Sequence, residues 1–598
     1  MCGIIGYTGK DQALQIVMRG LAALEYRGYD SCGLSAFSSD NDGITVIKRT
    51  GKLRTLSDAL SNIQLNTCCA IGHTRWATHG MVTEENAHPH KVGKTVIVHN
   101  GIIENYKQIE DRLQCTFYSS TDTERACALI DRCYEQTHNG KQAIIDACSQ
   151  LEGSYAFLIM FEDEKNTIYA TARACPLIVG QGENGFCAIS DISACSLDNY
   201  CRLNDGESAR LSPDGISVYS PDGKELTDRL LPTDIKTELP NKNGYPHFML
   251  KEIKEIPTVL RATVNANTKN GLPFFDSVPD SVLKDMGKLT VIGCGTAYHA
   301  GLCAVHIARE LAGIDGASYI ASEYRYSRPT VKKGDVVVFI SQSGETADTL
   351  ACIRMCKSLG AYTLGIINVP YSTASFECDG VIRTHAGFEI AVASTKAYVC
   401  QLAALYLLIF KTCLLQNALS EKAVREYTEI LKYNVPDNTC IDKEKCKTIY
   451  GIAEKHKNAE NMFYIGRGLD SILCSEASLK LKEVSYIHSE AYPAGELKHG
   501  AISLITPGVS VFVIATDKKL IAKTENNMQE VSSRGGRLIL LGDSEYNDCD
   551  TILCNSLQGI FSPFAAAPLF QLYAYYTALL RGCDPDMPRN LAKSVTVE

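Results

Sequence analysis

A cysteine at position 2 is the first residue of this chain whose chemistry needs an explanation. If the initiator Met1 is removed, Cys2 becomes the N-terminal residue and carries both a thiol and an α-amine. The amine titrates at about 7.7–8.0 and the thiol at about 8.5, so the amine can act as base for the thiol at neutral pH. The position therefore indicates a nucleophile, although a cysteine near an N-terminus is more often a small buried apolar residue.

Polar residues in the first quarter of the chain could serve such a nucleophile. Arg75, beside the only tryptophan, Trp76, can grip a carboxylate with two parallel hydrogen bonds or form a surface salt bridge. Asn100 followed by Gly101 could form an oxyanion hole, or simply a hairpin turn. Asp122 could neutralise a substrate ammonium or cap the helix that follows it. The residues alone leave each of these alternatives open.

Hydroxyl residues cluster farther along, where an apolar strand meets a helix. The hydroxyls belong to Ser341, Ser343 and Thr346, and Gln342 lies between the two serines. Hydroxyls and backbone N–H groups at the carboxyl edge of a parallel sheet, at a helix N-terminus, bind phosphate. The alternative is an ordinary helix N-cap. Three hydroxyls within six residues favour phosphate.

Two carboxylates flank a lysine at helical spacing later in the chain. Glu476, Lys480 and Glu483 are separated by four and three residues, which places them on one face of a helix. Such a group could move a proton, with a carboxylate as base. The alternative is an exposed salt bridge between neighbouring turns.

The elements that must position these residues differ between the two halves. Residues 1 to about 225 contain short strand-like segments with two helical stretches, around 12–24 and 123–135, which predict an α+β domain with largely antiparallel sheets. The second half repeats itself. Gly293 and Gly466 are 173 positions apart, and Ile340 and Ile514 are 174 apart.

A third strand pair of the second half, Ile366 and Leu540, is again separated by 174 positions. Three strands at a constant offset predict two tandem βαβ domains with parallel sheets. The second copy carries Ala515-Thr516-Asp517 where the first has its hydroxyl cluster, and Asp517 would repel phosphate. We therefore expect one phosphate site per chain.

Composition excludes several classes of protein. The 598 residues carry a net charge of −9 without a basic stripe, so binding to nucleic acid is not expected. The 25 cysteines include no C-x-x-C pair, and the start of the chain has no secretory leader, so we expect reduced thiols in a cytoplasmic enzyme. The apolar run 402–410 is too short to span a membrane.

Several motifs together resemble the class II glutamine amidotransferases, whose N-terminal residue is the nucleophile. The matching segments are Cys2-Gly3-Ile4-Ile5-Gly6, Arg75-Trp76, Asn86-Ala87-His88-Pro89-His90, Asn100-Gly101 and Asp122. The second half is similar to paired sugar-isomerase (SIS) domains, and the likeness continues to the tail 588–598. The resemblance implies a glutaminase domain over 1–221, a linker over 222–245, and SIS domains over 246–430 and 431–598.

The resemblance also implies roles in glutamine hydrolysis. Cys2 would attack the side-chain amide, and Asn100 with the Gly101 N–H would stabilise the oxyanion. Arg75 would bind the α-carboxylate and Asp122 the α-ammonium. The remaining pocket residues would close over glutamine: Trp76, Thr78, His79 and His88. Trp76 would also gate the released ammonia.

In the sugar half the resemblance assigns the phosphate to Ser341, Gln342, Ser343 and Thr346. The rest of the sugar pocket would be lined by Thr296, Val392 and Ser394. Glu483 would move the proton between C1 and C2, assisted by Lys480 and Glu476. His499 would open the sugar ring, and Lys593 would form a Schiff base with the sugar carbonyl.

The implied activity is synthesis of glucosamine 6-phosphate from fructose 6-phosphate with ammonia released from glutamine and channelled between the halves. No cofactor or metal is implied, the partners would be small-molecule substrates, and a homodimer or higher homo-oligomer is expected. Ala297, Phe388 and Ala391 depart from the usual residues of the family.

Two other classes stay open on the residues alone. One is an amidotransferase with another acceptor or a lone sugar-phosphate isomerase, and the other is a non-catalytic sugar-phosphate sensor. A phosphoribosyl acceptor would call for a pyrophosphate motif, which the sequence lacks. A sensor would not need Cys2, Glu483 and Lys593 together.

Overall fold

The computed structural model describes residues 2–596 apart from a few short gaps. The gaps are Asp11, 38–42, Asn62, Gln64, 77–79, Glu183, 234–239, 555–556 and Gln558. Thr78 and His79 of the predicted glutamine pocket therefore lie outside the described residues. The chain divides into two compact units, residues 1–241 with 594–598, and residues 242–593.

The first unit is built on two antiparallel sheets, as the sequence predicts. Its strands are β1 (Gly3–Gly9), β2 (Ser31–Phe37), β3 (Ile44–Thr50), β4 (Cys69–Arg75), β5 (His90–Val92), β6 (Thr95–Ile103), β7 (Gly153–Phe161), β8 (Ile168–Arg173), β9 (Ile178–Gly182), β10 (Gly185–Ile189), β11 (Asn199–Arg202), β12 (Ser208–Ser212), β13 (Gly215–Tyr219), β14 (Glu225–Leu226) and β15 (Leu231–Pro232). The described strand orders are β15-β11-β9-β10-β1-β4-β2-β3 and β14-β13-β12-β8-β7-β6-β5.

Alternation along the strands builds two cores from one sheet. Val96 and Val98 of β6 pack in the core that also contains Ile4 and Ile71 of the other sheet, while Ile97 turns to the opposite face. That face is covered by helices, because successive side chains of a strand point to opposite sides. The helices of this unit are α1 (Ala13–Leu24), α2 (Leu53–Leu60), α3 (Tyr106–Leu113), α4 (Asp122–Thr137) and α5 (Gly140–Cys148).

Two of the short strands fall within the span predicted as a linker. β14 pairs with β13, and β15 pairs with β11, so residues 225–226 and 231–232 extend the sheets of the first unit. The two compact units divide between Asn241 and Lys242. The domain limits inferred from the sequence stay a prediction.

The second unit contains two parallel sheets of the same topology. Its elements are α6 (Phe248–Ala266), β16 (Thr268–Lys269), β17 (Leu272–Pro273), α7 (Asp280–Lys284), β18 (Lys288–Gly293), α8 (Thr296–Ala312), β19 (Asp315–Ile320), α9 (Ala321–Tyr324), β20 (Val336–Ser341), α10 (Ala347–Ser358), β21 (Tyr362–Ile367), α11 (Thr373–Glu377), β22 (Gly380–Arg383), α12 (Lys396–Leu415), α13 (Glu421–Glu429), α14 (Val435–Asn438), α15 (Lys443–His456), β23 (Asn461–Gly466), α16 (Leu469–Ser485), β24 (His488–Pro493), β25 (Ser510–Ala515), α17 (Ile521–Ser532), β26 (Arg537–Gly542), β27 (Cys549–Leu553) and α18 (Ser562–Leu580).

The sheet orders confirm the repeat that the strand offsets predict. They are β19-β18-β20-β21-β22 in the first copy and β24-β23-β25-β26-β27 in the second. All pairs within these two sheets are parallel, for example Val291 with Val338 and Phe463 with Val511. The strands therefore present their carboxyl ends, where the hydroxyl cluster lies, at one edge of each sheet.

One hydrophobic core joins the two copies within the second unit. It contains buried residues of α6, α8, α12, α16 and α18. Helix α12 is apolar and long enough to cross a membrane, yet 83% of its most apolar window is buried within the structure. It is an internal helix of this core, which agrees with the interpretation of its apolar run.

Candidate active sites

The nucleophile candidate, Cys2, lies immediately before strand β1 and contacts the residue after β4 and a residue of β6. The Trp76 backbone N–H, just beyond β4, donates to Cys2 Sγ at 3.3 Å. Asn100 of β6 donates from Nδ2 to the Cys2 carbonyl oxygen at 3.0 Å. The two sheets thus bring together residues that are about a hundred positions apart in sequence.

Gly101 occupies a position that only glycine can fill. Its φ is +133°, and a Cβ there would lie 2.1 Å from the Ser154 carbonyl oxygen on the paired strand β7. The absent side chain lets the backbone of β6 pass close to its neighbour beside Asn100. This arrangement fits an amide and a backbone N–H that approach a small oxyanion.

The thiol of Cys2 is not ionised by its surroundings. Burial raises its pKa above the ordinary value, and the Trp76 N–H and the Arg75 guanidinium oppose that rise only in part. A thiol in this state needs a base to become a nucleophile. The Cys2 α-amine, once free, is a base of suitable pKa.

Two buried groups of opposite charge are suited to the two ends of an amino acid. Arg75 ends β4 and is 4% exposed, and Asp122 begins α4 and is 7% exposed. Asp122 Oδ2 accepts the Ile103 backbone N–H at 2.8 Å. Burial lowers the pKa of Arg75, while the negative charges of Cys2, when ionised, of Asp30 and of Asp122 oppose that shift.

Four buried histidines support the strand that carries Asn100, and the sequence analysis singled out only His88 among them. His88 Nδ1 accepts the His99 backbone N–H at 3.3 Å, and His73 Nε2 lies 2.9 Å from the His99 carbonyl oxygen. Burial lowers the pKa of His88 well below its ordinary value, so the ring is neutral. The fourth, His90, packs edge-on against His88. His73 and His99 could have been noticed as flanks of the Arg75 and Asn100 motifs.

The hydroxyl cluster of the second unit forms a compact loop between β20 and α10. Ser341 Oγ accepts the Gly344 N–H at 2.9 Å, and Ser343 Oγ accepts the Glu345 N–H at 3.1 Å. Thr346 is the N-cap residue of α10. Glu345 turns its carboxylate to the Thr373 backbone and hydroxyl, and that interaction satisfies this negative charge.

The equivalent loop of the second copy is filled by a carboxylate of the chain itself. Asp470 Oδ2 accepts the backbone N–H groups of Thr516 at 2.8 Å and Asp517 at 3.2 Å. Asp470 lies 174 positions after Thr296, at the start of the matching helix. In addition to the repulsion predicted for Asp517, Asp470 occupies the amides that an anion would use.

The carboxylate–lysine trio lies on α16 in the interior. Lys480 and Glu476 have fully buried side chains, with Nζ 3.5 Å from Glu476 Oε1 and 2.6 Å from Glu483 Oε2. Burial alone would lower the pKa of Lys480, but the two carboxylates raise it. Burial raises the pKa of Glu483, which Lys480 opposes.

Thr296 and His299 of α8 complete this cluster. Thr296 Oγ1 donates to Glu476 Oε1 at 3.0 Å and accepts from Lys480 Nζ at 3.0 Å. His299 Nδ1 lies 2.7 Å from Glu476 Oε2. His299 is not among the site residues predicted from the sequence, although its position one turn after Thr296 places it on the same helical face.

A second lysine is held by the segment that precedes α12. Lys593 Nζ pairs with Glu389 Oε2 and donates to the Ala391 carbonyl oxygen at 2.8 Å. Ser394 Oγ donates to Glu389 Oε2 at 3.2 Å. The backbone N–H of Val392 donates to the Asp586 carbonyl oxygen at 3.0 Å. Val392, Ser394 and Lys593 are therefore brought together, with Glu389, which the sequence analysis missed.

His499 is placed differently. It is exposed and ends the 3-10 turn Glu496–His499, which follows the edge strand β24. Among the described contacts, its ring has no hydrogen bond or ion pair to Glu476, Lys480 or Glu483. Within the described residues of the whole chain, no group of three or more histidine, cysteine and acidic residues is arranged to hold a metal ion.

The fold and the two groups of residues define a glutamine amidotransferase domain followed by tandem sugar-isomerase domains. A glutamine amidotransferase domain model matches residues 73–196, and a SIS domain model matches residues 282–411 and 456–551. The solved C-terminal domain of glucosamine-fructose-6-phosphate aminotransferase from Francisella tularensis is 36% identical, covering 58% of this chain and all of that one, with a TM-score of 0.56.

Relatives extend the likeness to the whole chain. The glutamine–fructose-6-phosphate aminotransferases (isomerizing) of Clostridium tetani and Aquifex aeolicus are 41% and 39% identical, each with full coverage of both chains. The chain belongs to the glutamine–fructose-6-phosphate aminotransferase (isomerizing) family.

Proposed function

We propose that this protein converts D-fructose 6-phosphate and L-glutamine to D-glucosamine 6-phosphate and L-glutamate, the first step of hexosamine synthesis. The observation that carries the proposal is the full-length alignment to relatives of that activity, through both halves of the chain. The amidotransferase half would supply ammonia, and the SIS half would use it.

In the glutaminase half, Cys2 Sγ would attack the side-chain amide carbon of glutamine. The S–C bond forms, the C–N bond breaks, and ammonia leaves with a proton supplied by the Cys2 α-amine. Water then hydrolyses the thioester to glutamate. Asn100 and the Gly101 N–H would stabilise the oxyanion, while Arg75 and Asp122 bind the α-carboxylate and α-ammonium.

We also propose that four more residues of the glutaminase half line the glutamine pocket: Trp76, Thr78, His79 and His88. The contacts of His88 support an indirect role, because its Nδ1 accepts the backbone N–H of His99, the residue before Asn100. Trp76 would gate the ammonia that passes to the sugar half.

In the sugar half, the phosphate would bind the loop of Ser341, Gln342, Ser343 and Thr346. The N-terminus of α10 supports this site, since no side-chain cap bonds it among the described residues and helix N-termini favour anions. Its counterpart in the second copy is occupied by Asp470. We expect one sugar phosphate per chain, with Thr296, Val392 and Ser394 lining the remainder of the pocket.

Amination and isomerisation would then proceed at C1 and C2. The Lys593 amine adds to the C2 carbonyl of the open sugar and water leaves. Ammonia replaces the lysine at C2. Glu483 removes a proton from C1, and reprotonation at C2 leaves an aldehyde at C1 and an amine at C2. Lys480 and Glu476 hold Glu483 within a buried charge network.

His499 supports a proposal about assembly. We expect it to open the sugar ring, and its exposed turn suits a residue that serves the site of a second copy of the chain. A homodimer or larger homo-oligomer would supply that copy. The abundance of buried free thiols supports a reducing, cytoplasmic setting.

The direct test incubates the purified protein with glutamine and fructose 6-phosphate and measures glucosamine 6-phosphate and glutamate by mass spectrometry. Equal amounts of both products are expected. Glutamate without amino sugar would show that the acceptor is wrong. The mass of the N-terminal peptide should show that Met1 has been removed, and a retained Met1 in active protein would refute the role of the α-amine.

A further inference from the structure

Behind Lys593 lie two carboxylates buried in the second unit. Glu389 is 3% exposed and Glu252, on α6, is 1% exposed. Two adjacent buried anions would repel each other strongly, so their protonation states have to differ. The hydrogen bonds around them indicate which one carries the charge.

Glu389 is surrounded by donors that stabilise an anion. Its Oε1 accepts the backbone N–H groups of Thr395 and Ala397 at the start of α12, both at 2.9 Å. Its Oε2 accepts from Ser394 Oγ and pairs with Lys593 Nζ. Although burial raises the pKa of Glu389, Lys593 and these donors hold it below the ordinary value.

Glu252 has weaker support for a negative charge, because no ion pair to it is found among the described residues. Its Oε1 accepts the Ile390 N–H at 2.6 Å and the Ala391 N–H at 3.2 Å, and its Oε2 lies 3.1 Å from Thr395 Oγ1. The same hydroxyl lies 3.3 Å from Glu389 Oε1, and its single proton cannot serve both carboxylates. Burial and the negative charge of Glu389 raise the pKa of Glu252 to about 8. A protonated Glu252 donates to Thr395, which then donates to Glu389.

We propose that Glu389 is a further catalytic residue, which takes the proton of Lys593 when Nζ attacks the sugar carbonyl and returns it to the departing oxygen. Glu252 and Thr395 are positioning residues that keep Glu389 oriented as the one anion of the pair. The inference rests on the proposed role of Lys593 as the Schiff-base lysine.

The proton balance of this step closes within the site. The Lys593 ammonium transfers a proton to Glu389 Oε2, and the free amine adds to the C2 carbonyl to give a carbinolamine. Glu389 then protonates the carbinolamine oxygen, the C–O bond breaks and water leaves. The protonated imine remains on Lys593, and Glu389 is again a carboxylate that pairs with it.

Other charged groups lie on the elements around this pair. Lys396 at the start of α12 pairs with Glu255 Oε2 at 2.8 Å. Lys480 and Glu483 of α16 act through their charges on Glu389 and Lys593. Only Glu389 contacts Lys593 Nζ directly among the described carboxylates.

The test traps the imine of the full-length protein with borohydride in the presence of fructose 6-phosphate and measures the Lys593 adduct by mass spectrometry. In Glu389→Gln we expect the trapping rate to fall by roughly a hundredfold. The control Glu255→Gln, one turn from Glu252 on the same helix, should trap as the wild type does.

The outcomes separate the inference from the proposed function. An unchanged trapping rate in folded Glu389→Gln would overturn the inference alone. No adduct at Lys593 in the wild type, with glucosamine 6-phosphate still formed, would remove the Schiff-base role and the inference with it. Should Glu389→Gln not fold, Glu389→Asp, whose carboxylate is withdrawn from Nζ, must trap more slowly; wild-type trapping in that variant would also refute the proposal.

Discussion

Glu252 shows how a single buried side chain can set the pH dependence of stability. Its pKa is raised to about 8 in the folded protein, mainly by burial, against an ordinary value of 4.5. The folded state therefore binds this proton more tightly than the unfolded state does. The contribution of Glu252 to the free energy of unfolding is therefore complete below about pH 4.5, and it is lost as the pH rises through 8.

The first prediction replaces this acid by the neutral amide that imitates its protonated form. Between pH 6 and pH 8 we expect the wild type to lose on the order of 2 kcal/mol of stability from this group, and Glu252→Gln to lose almost none of it. Thermal unfolding at both pH values measures the difference. Glu255→Gln is the control on the same helix, and equal pH slopes in Glu252→Gln and the wild type would contradict the prediction.

The second prediction concerns the amide beside the nucleophile. Asn100→Ala removes the Nδ2 donor that contacts Cys2, while the strand β6 keeps its register. We expect kcat for glutamine hydrolysis to fall by about 10²–10³-fold, the cost of one oxyanion donor. Glutamate release measures it. Synthesis of amino sugar from fructose 6-phosphate and added ammonium salt should continue; a parallel loss of that activity would indicate a general folding defect.

At the scale of elements, helix α16 carries three charged side chains into the core of the second unit. They are stable there only together, because the charge of the lysine offsets those of the two carboxylates. Lys480 touches Glu476, Glu483 and Thr296. The sequence spacing gave their common face, but an exposed salt bridge would have shown the same spacing. Burial by α8 and α18 decides between the two interpretations, and it depends on tertiary packing that local spacing does not contain.

The third prediction tests this mutual dependence. Lys480→Met leaves two buried carboxylates without their cation, so we expect a loss of about 3–5 kcal/mol of stability together with isomerase activity. Lys480→Met combined with Glu476→Gln should recover much of the stability and none of the activity. Melting temperatures and amino-sugar formation report the two effects. A single variant as stable as the wild type would argue against a paired, charged Lys480.

The fourth prediction concerns the proposed phosphate loop between β20 and α10. Ser343→Ala in the loop before α10 should raise KM for fructose 6-phosphate by about tenfold, the effect of one hydrogen bond to a charged phosphate. Ser358→Ala, at the opposite end of the same helix, is the control and should leave KM unchanged. If both variants keep the wild-type KM, the phosphate lies elsewhere.

What the sequence could predict depended on how local the signal was. Strand offsets of 173 and 174 gave the duplicated parallel sheets, because equivalent strands keep equivalent buried runs. The pairing of Lys593 with Glu389 is separated by 204 positions and has no periodic signal. Asp470 likewise reads as an ordinary first-turn acid until the fold brings Thr516 to it.

For the whole molecule, the two compact units imply two chemistries that can be separated. Cys2, Arg75 and Asn100 lie in the first unit, and the sugar residues from Thr296 to Lys593 lie in the second. The units have their own cores, so a small change at Cys2 leaves the packing of the second unit intact. The fifth prediction uses this division.

Cys2→Ala removes the nucleophile but no core contact of the sugar half. We expect glutamine-dependent synthesis to fall to background, since no thioester can form. Isomerisation of fructose 6-phosphate to glucose 6-phosphate should remain near the wild-type rate, and added ammonium should restore some amino sugar. Coupled assays for the three products measure this, with Cys68→Ala, a half-buried cysteine directly before β4, as the matched control. Loss of both activities in a folded Cys2→Ala protein would mean that the sugar half needs the nucleophile itself.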